Sequence, residues 1–112
     1  MATRYDFSID QGSDTSIPVR LLDAEGTALD LTGATAEMQL RRTPVCESAA
    51  DELSTENGRI EISSDTATII FPHQVTEKMA AGRYLYDLEV TLDGNVTRVL
   101  EGAITIRREI TR

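Results

Sequence analysis

His73 is the only imidazole in the chain and Cys46 the only thiol, so acid–base or nucleophilic chemistry near neutral pH would have to begin from these two. A cysteine–histidine pair needs a third group to orient the ring and donors to hold an oxyanion. Neither stands near them in the sequence. Pro72 and Gln74 flank His73 and place it in a strand-to-helix connection, where turn or surface hydrogen bonding is the expected role. A single thiol makes neither an intrachain disulfide nor a multi-cysteine zinc site. The sequence therefore assigns no catalytic, cofactor-binding or metal-ligating residue, and no cofactor is expected.

Carboxylates are the next candidates. Asp87 and Glu89 share one side of an extended segment, ~6 to 7 Å apart, a separation compatible with acid–base work or metal binding but equally with a solvated polar face. General acid–base catalysis also needs a pocket and a perturbed acidity, so the polar face is the reading adopted. Tyr84, two residues after Gly82, fits a buried ring whose hydroxyl reaches a turn carbonyl, as in the tyrosine corner of immunoglobulin-like domains. Arg41-Arg42 and Arg107-Arg108 send their side chains to opposite strand faces and form no continuous basic stripe. With no aromatic residues interleaved among them, nucleic-acid binding is not expected.

The elements that would position these groups emerge from apolar residues recurring at every second position. Ala36, Met38 and Leu40 alternate with Glu37, Gln39 and Arg41. Tyr84, Tyr86, Leu88, Val90 and Leu92, with Asp87, Glu89 and Thr91 on the other side, form the longest such set. Ile17, Val19 and Leu21, then Ile60 with Ile62, and Ile69 with Phe71, mark shorter strands. Asp93-Gly94 predicts a tight hairpin into Asn95–Glu101, and Gly102 a bend or bulge before a last strand over Ala103–Glu109. Turns are expected at Asp23–Gly26, Thr32-Gly33 and Asn57-Gly58. Thr43–Glu56 reads as a surface loop and Val75–Ala81 as a short helical turn.

Seven or eight short strands with one helical connector predict an all-β fold: an antiparallel β-sandwich occupying residues 1–112 as a single domain. A length of 112 residues suits one core, and 40% hydrophobic against 27% charged residues favours a folded chain over an acidic disordered one. The net charge of −8 counts against a broad phosphate-binding channel. That charge is uneven: residues 1–56 hold 11 acids and 4 bases, residues 57–112 hold 8 acids and 7 bases. An acidic surface aids solubility and orients protein partners. The first residues carry no basic and apolar stretch recognisable as a secretory signal, and no segment reaches the ~20 apolar residues of a spanning helix, so membrane insertion is not expected.

Gly82-Arg83-Tyr84-Leu85-Tyr86-Asp87-Leu88-Glu89-Val90, the Asp93-Gly94 turn, Gly102-Ala103-Ile104-Thr105-Ile106 and the terminal Ile110-Thr111-Arg112 resemble a family of small tailed-phage or prophage structural proteins with an immunoglobulin-like sandwich. Leu31-Thr32-Gly33-Ala34-Thr35-Ala36 is similar to the first half of such proteins, including amino-terminal modules of upper baseplate proteins. The resemblance implies a non-enzymatic virion structural or assembly module of baseplate, tail or head–tail junction, found in the host cytoplasm during assembly or in the particle. It implies virion or assembly proteins as partners, with homo-oligomers among the options, and transfers no catalytic residue. The residues expected to meet partners are Glu37, Gln39 and Arg41 on one polar face and Asp87 and Glu89 on another. A carbohydrate-binding sandwich is the first alternative and a small hydrolase built on His73 the second.

Overall fold

Alternation along the chain becomes alternation of burial: in Thr35–Arg41 every second side chain is buried, and Tyr84, Tyr86, Leu88 and Val90 are buried while Leu92 is half-buried. The computed structural model describes residues 3–22, 25–27, 30–42 and 50–108. These form β1 (Thr3–Arg4), β2 (Phe7–Asp10), β3 (Thr15–Arg20), β4 (Thr35–Arg41) and β5 (Asp51–Ser54). Then follow β6 (Ile60–Ser63), β7 (Thr66–Phe71), α1 (His73–Thr76), β8 (Gly82–Leu92) and β9 (Asn95–Arg107). Nine strands thus stand among the described residues, against the seven or eight expected. Asp23, Cys46, Glu109 and the terminal Ile110-Thr111-Arg112 lie outside them.

One sheet runs β1-β9-β8-β4-β5, with β2 continuing the β1 edge along β9; the other runs β3-β7-β6. Their inner faces share one apolar cluster that includes Ile9, Met38, Leu53, Ile69, Phe71 and Leu88. The arrangement is a β-sandwich-like fold with one short helix. It differs from the expected all-antiparallel sheets, because β1 and β2 run parallel to β9, with Thr3 beside Leu100 and Phe7 beside Ile104. Side-chain alternation tells which residues face inward; it carries nothing about the direction of a neighbour, which the route between the sheets fixes.

Asp93 and Gly94 both have positive φ, 53° and 80°, as a two-residue hairpin matching strand twist requires. Beyond that turn the expected break at Gly102 is absent. The strand is continuous, and the irregularity lies earlier: Glu89 pairs with Arg98 and Leu88 with Leu100, leaving Val99 as the extra residue of a bulge. Gly102 serves another purpose. A Cβ there would collide with the Tyr5 carbonyl oxygen and approach Asp6 Oδ1 to 2.7 Å, so glycine lets the Tyr5–Asp6 crossing lie against β9. Asp6 Oδ1 accepts the Ala103 amide at 2.8 Å, and the Tyr86 hydroxyl donates to the Tyr5 carbonyl at 2.5 Å.

Two further expectations are corrected. Part of the expected loop over Thr43–Glu56 is β5, paired with β4 from Glu37↔Ser54 to Leu40↔Asp51; it holds one buried apolar side chain, Leu53, so its strand character comes from backbone pairing rather than alternation. The helix begins at His73, not Val75. Pro72 ends the preceding strand and offers no side-chain cap; Asp14, from the turn between β2 and β3, accepts the His73 amide at 2.6 Å instead. Among the described residues no helix is long and apolar enough to cross a membrane.

Candidate protein-interaction surface

Inward packing of Ala36, Met38 and Leu40 forces Glu37, Gln39 and Arg41 outward, and the same parity on β8 turns Leu85, Asp87 and Glu89 outward. The two strands are neighbours, with Glu37 opposite Glu89, Gln39 opposite Asp87 and Arg41 opposite Leu85. What the sequence read as two polar faces is one continuous surface on the larger sheet. β5 extends it with Glu52, whose Oε1 accepts from Gln39 Nε2 at 3.3 Å, and Arg41 donates to Gln39 Oε1 at 2.6 Å. On the other side Arg98 Nε lies 3.3 Å from Asp87 Oδ2. A shallow depression of ≈ 470 Å³ in this face is lined by residues including Gln39, Arg41, Asp87, Glu89, Arg98 and Glu101.

Register thus gathers four of the five expected residues, Gln39, Arg41, Asp87 and Glu89, around one depression and sets Glu37 at its margin. Glu37 and Glu89 meet as a like-charged cross-strand pair, an arrangement unfavourable within the sheet by a few tenths of a kcal/mol or more, on the order of 0.2–1. Arg98, Glu52 and Glu101 were not anticipated. Arg98 was within reach of sequence reasoning, since counting back from a two-residue turn at Asp93-Gly94 sets it against Glu89. Glu101 was not, because the bulge shifts the count and brings Glu101 opposite Asp87.

Of the remaining chemical candidates, His73 and Tyr84 have structural partners, and Cys46 lies outside the described residues. His73 Nδ1 lies 3.0 Å from Asp14 Oδ1, at side-chain exposures of 46% and 72%, and the carboxylate also caps α1. The amide and ring contacts of His73 hold Asp14 below the ordinary carboxylate value of 3.8. Tyr84 is buried and its hydroxyl donates to the Ala80 carbonyl at 2.7 Å, with the Arg42 guanidinium 4.2 Å from its ring centre. Tyr86 is buried as well, and desolvation, with a smaller effect of Asp6, drives its phenol upward from 10.0. Neither ring is available as an exposed stacking platform. Among the described residues no group of three or more His, Cys, Asp or Glu side chains is placed to hold a metal.

A second depression, ≈ 550 Å³, opens where the β1 edge faces the end of β3 and is lined by Tyr5, Val19, Leu21, Leu22 and Val99 among others. It holds none of the expected residues. Its two arginines are engaged, Arg4 with Asp6 at 3.3 Å and Arg20 with Asp65 at 2.6 Å. Comparison of the chain with protein-family models and with curated proteins returned no match.

Proposed function

We propose that this chain is a non-enzymatic structural or assembly module of a phage or prophage particle, an immunoglobulin-like sandwich that meets neighbouring proteins through the outer face of β5, β4, β8 and β9. Support for the finer fold comes from strand order: β3-β7-β6 against β5-β4-β8-β9 is like the two-sheet layout of variable-type immunoglobulin domains, and the Tyr84 hydroxyl on Ala80 is like the tyrosine corner near the start of strand F of that layout. The virion assignment rests on the sequence resemblance.

The observation that carries the binding reading is the union of Glu37, Gln39, Arg41, Asp87 and Glu89 on one sheet face. An open, charged, hydrogen-bonding surface suits orientation of a protein partner better than enclosure of a small molecule. The test is chemical crosslinking within purified particles from the strain that encodes the chain, followed by incorporation of a Gln39→Ala/Asp87→Ala variant. Crosslinks from this face to particle proteins, and reduced incorporation of a variant that melts like the parent, are expected. Absence of the chain from particles, or undiminished incorporation, would overturn the reading.

A further inference from the structure

The turn joining β5 to β6 carries the dipeptide Asn57-Gly58, both residues exposed. An asparagine followed by glycine offers little steric resistance to attack on its side-chain carbonyl by the next backbone nitrogen. Gly58 has a φ of 79°, and nothing lies within 4 Å of where a Cβ would stand. The other asparagine, Asn95, precedes the β-branched Val96, which crowds the same approach.

In the folded chain the Asn57 amide is held at both ends. Its Oδ1 accepts the Ser54 and Arg59 amides, each at 3.0 Å, and its Nδ2 donates to the Glu52 carbonyl at 3.1 Å. Two N–H donors on one atom identify that atom as the oxygen. The Asn57 backbone amide donates to Ser54 Oγ at 3.1 Å. All these bonds run to β5 or to Arg59, whose guanidinium lies 2.8 Å from the Asp51 carboxylate of the same strand. Ring closure onto the Gly58 nitrogen makes Cγ tetrahedral and expels Nδ2. It therefore sacrifices the Glu52 bond and breaks the plane in which Oδ1 meets its two donors.

We propose that Asn57 is a deamidation site, held unreactive by the closed turn and converted when β5 and its turn open. The Gly58 nitrogen, deprotonated by hydroxide, attacks Asn57 Cγ. The N–Cγ bond forms, Cγ–Nδ2 breaks, and Nδ2 takes a proton from water and leaves as ammonia. Water then opens the cyclic imide at either carbonyl, giving aspartate or its isomer with the backbone routed through the side chain. Water is consumed and ammonia released, with no change of oxidation state.

The product closes the turn less well. A carboxylate still accepts from Ser54 and Arg59, but its second oxygen faces the Glu52 carbonyl oxygen where Nδ2 donated. β5 is an edge strand with one buried apolar side chain, Leu53, and is left more weakly fastened. On the reading that β5 belongs to the protein-binding face, each conversion permanently loosens the strand that presents Glu52.

The intact chain, incubated in mildly alkaline buffer both native and in unfolding urea, tests the proposal when Asn57 conversion is followed by peptide mapping. Conversion should be about ten to a thousand times slower in the native chain than in the unfolded one. Each factor of ten reads as about 1.4 kcal/mol of opening free energy. Arg59→Met should narrow the difference, because the Arg59 side chain anchors the turn to Asp51 and to the Ile70 carbonyl. In urea, Gly58→Ala should suppress conversion, and Asn95 should outlast Asn57. Asn57→Asp, which fixes one product, should speed amide exchange across Asp51–Ser54 while β4 and β8 keep their protection. Native conversion as fast as in urea would overturn the proposal, since the donors on Oδ1 would then be assisting as an oxyanion hole. So would an Asn57 that survives in urea, a native rate that Arg59→Met leaves unmoved, or unchanged β5 exchange in Asn57→Asp. None of these measurements needs the particle, so their failure leaves the binding reading to be judged by incorporation alone.

Discussion

Arg59 closes the side of the sandwich where β5 and β6 are the sheet edges. Its Nη2 lies 2.8 Å from Asp51 Oδ2, with both side chains largely buried at 15% and 13% exposure. Nε donates to the Ile70 carbonyl at 2.8 Å, and the guanidinium stands 5.5 Å from the Phe71 ring centre. One side chain thus ties the turn after β5 to β7 on the opposite sheet. Replacing it strands a carboxylate in a low-dielectric seam, which costs far more than the intact pair contributes. Arg59→Met is expected to lower stability by about 2–4 kcal/mol in urea titrations, and adding Asp51→Leu in the same chain to recover much of that loss. Equal stability of single and double variants would show that Asp51 is not the group left behind. At this scale the sequence was mute. Arg59 follows Gly58 in an expected turn, and nothing in its neighbours distinguishes it from Arg83 or Arg98.

At the scale of elements, β9 is the spine of the larger sheet, with β8 on one side and the two short parallel strands β1 and β2 on the other. The crossing between those two strands is fastened by Asp6 to Ala103 and by Tyr86 to Tyr5, and it needs the missing side chain at Gly102. Gly102→Ala would push the Tyr5 carbonyl away and break both fastenings, for an expected loss of about 2–3 kcal/mol. Amide exchange gives the more specific readout: Phe7–Asp10 should lose protection first, while β4 and β8 keep theirs. Uniform loss across all strands would argue against a local latch. The glycine itself was legible as a special position, but its purpose was not. A bend, a bulge and a close approach all call for the same residue, and the approaching backbone comes from nearly a hundred residues away.

For the whole molecule, acid is the informative perturbation. Asp14 is held low by the His73 amide and ring, Asp30 by Thr32, and Asp65 by Arg20 and Thr66. Each carboxyl therefore binds its proton less readily in the folded chain than in the unfolded one, whose value lies near 3.8. Stability from these contacts is fully present above that pH and is lost as pH falls through the lowered folded values. Thermal melting should stay flat on this account above about pH 5 and decline below about pH 4, and Asp14→Asn should shrink that decline. The three contacts span the β2–β3 turn, the turn before β4 and the turn before β7, so the loss is spread over the molecule.

Local chemistry determined the inward and outward faces of β4 and β8, the Asp93-Gly94 hairpin and the absence of any multi-cysteine site, because side-chain parity, positive φ and ligand count are properties of short stretches. It also set Glu37, Gln39, Arg41, Asp87 and Glu89 on outward positions, one strand at a time. Register and direction were decided only in the folded chain: which strand lies beside which, that β1 and β2 run parallel to β9, and that Glu37 faces Glu89. Those follow from how two sheets close over a shared core, a balance struck among residues far apart in the chain, and no short stretch of sequence contains it.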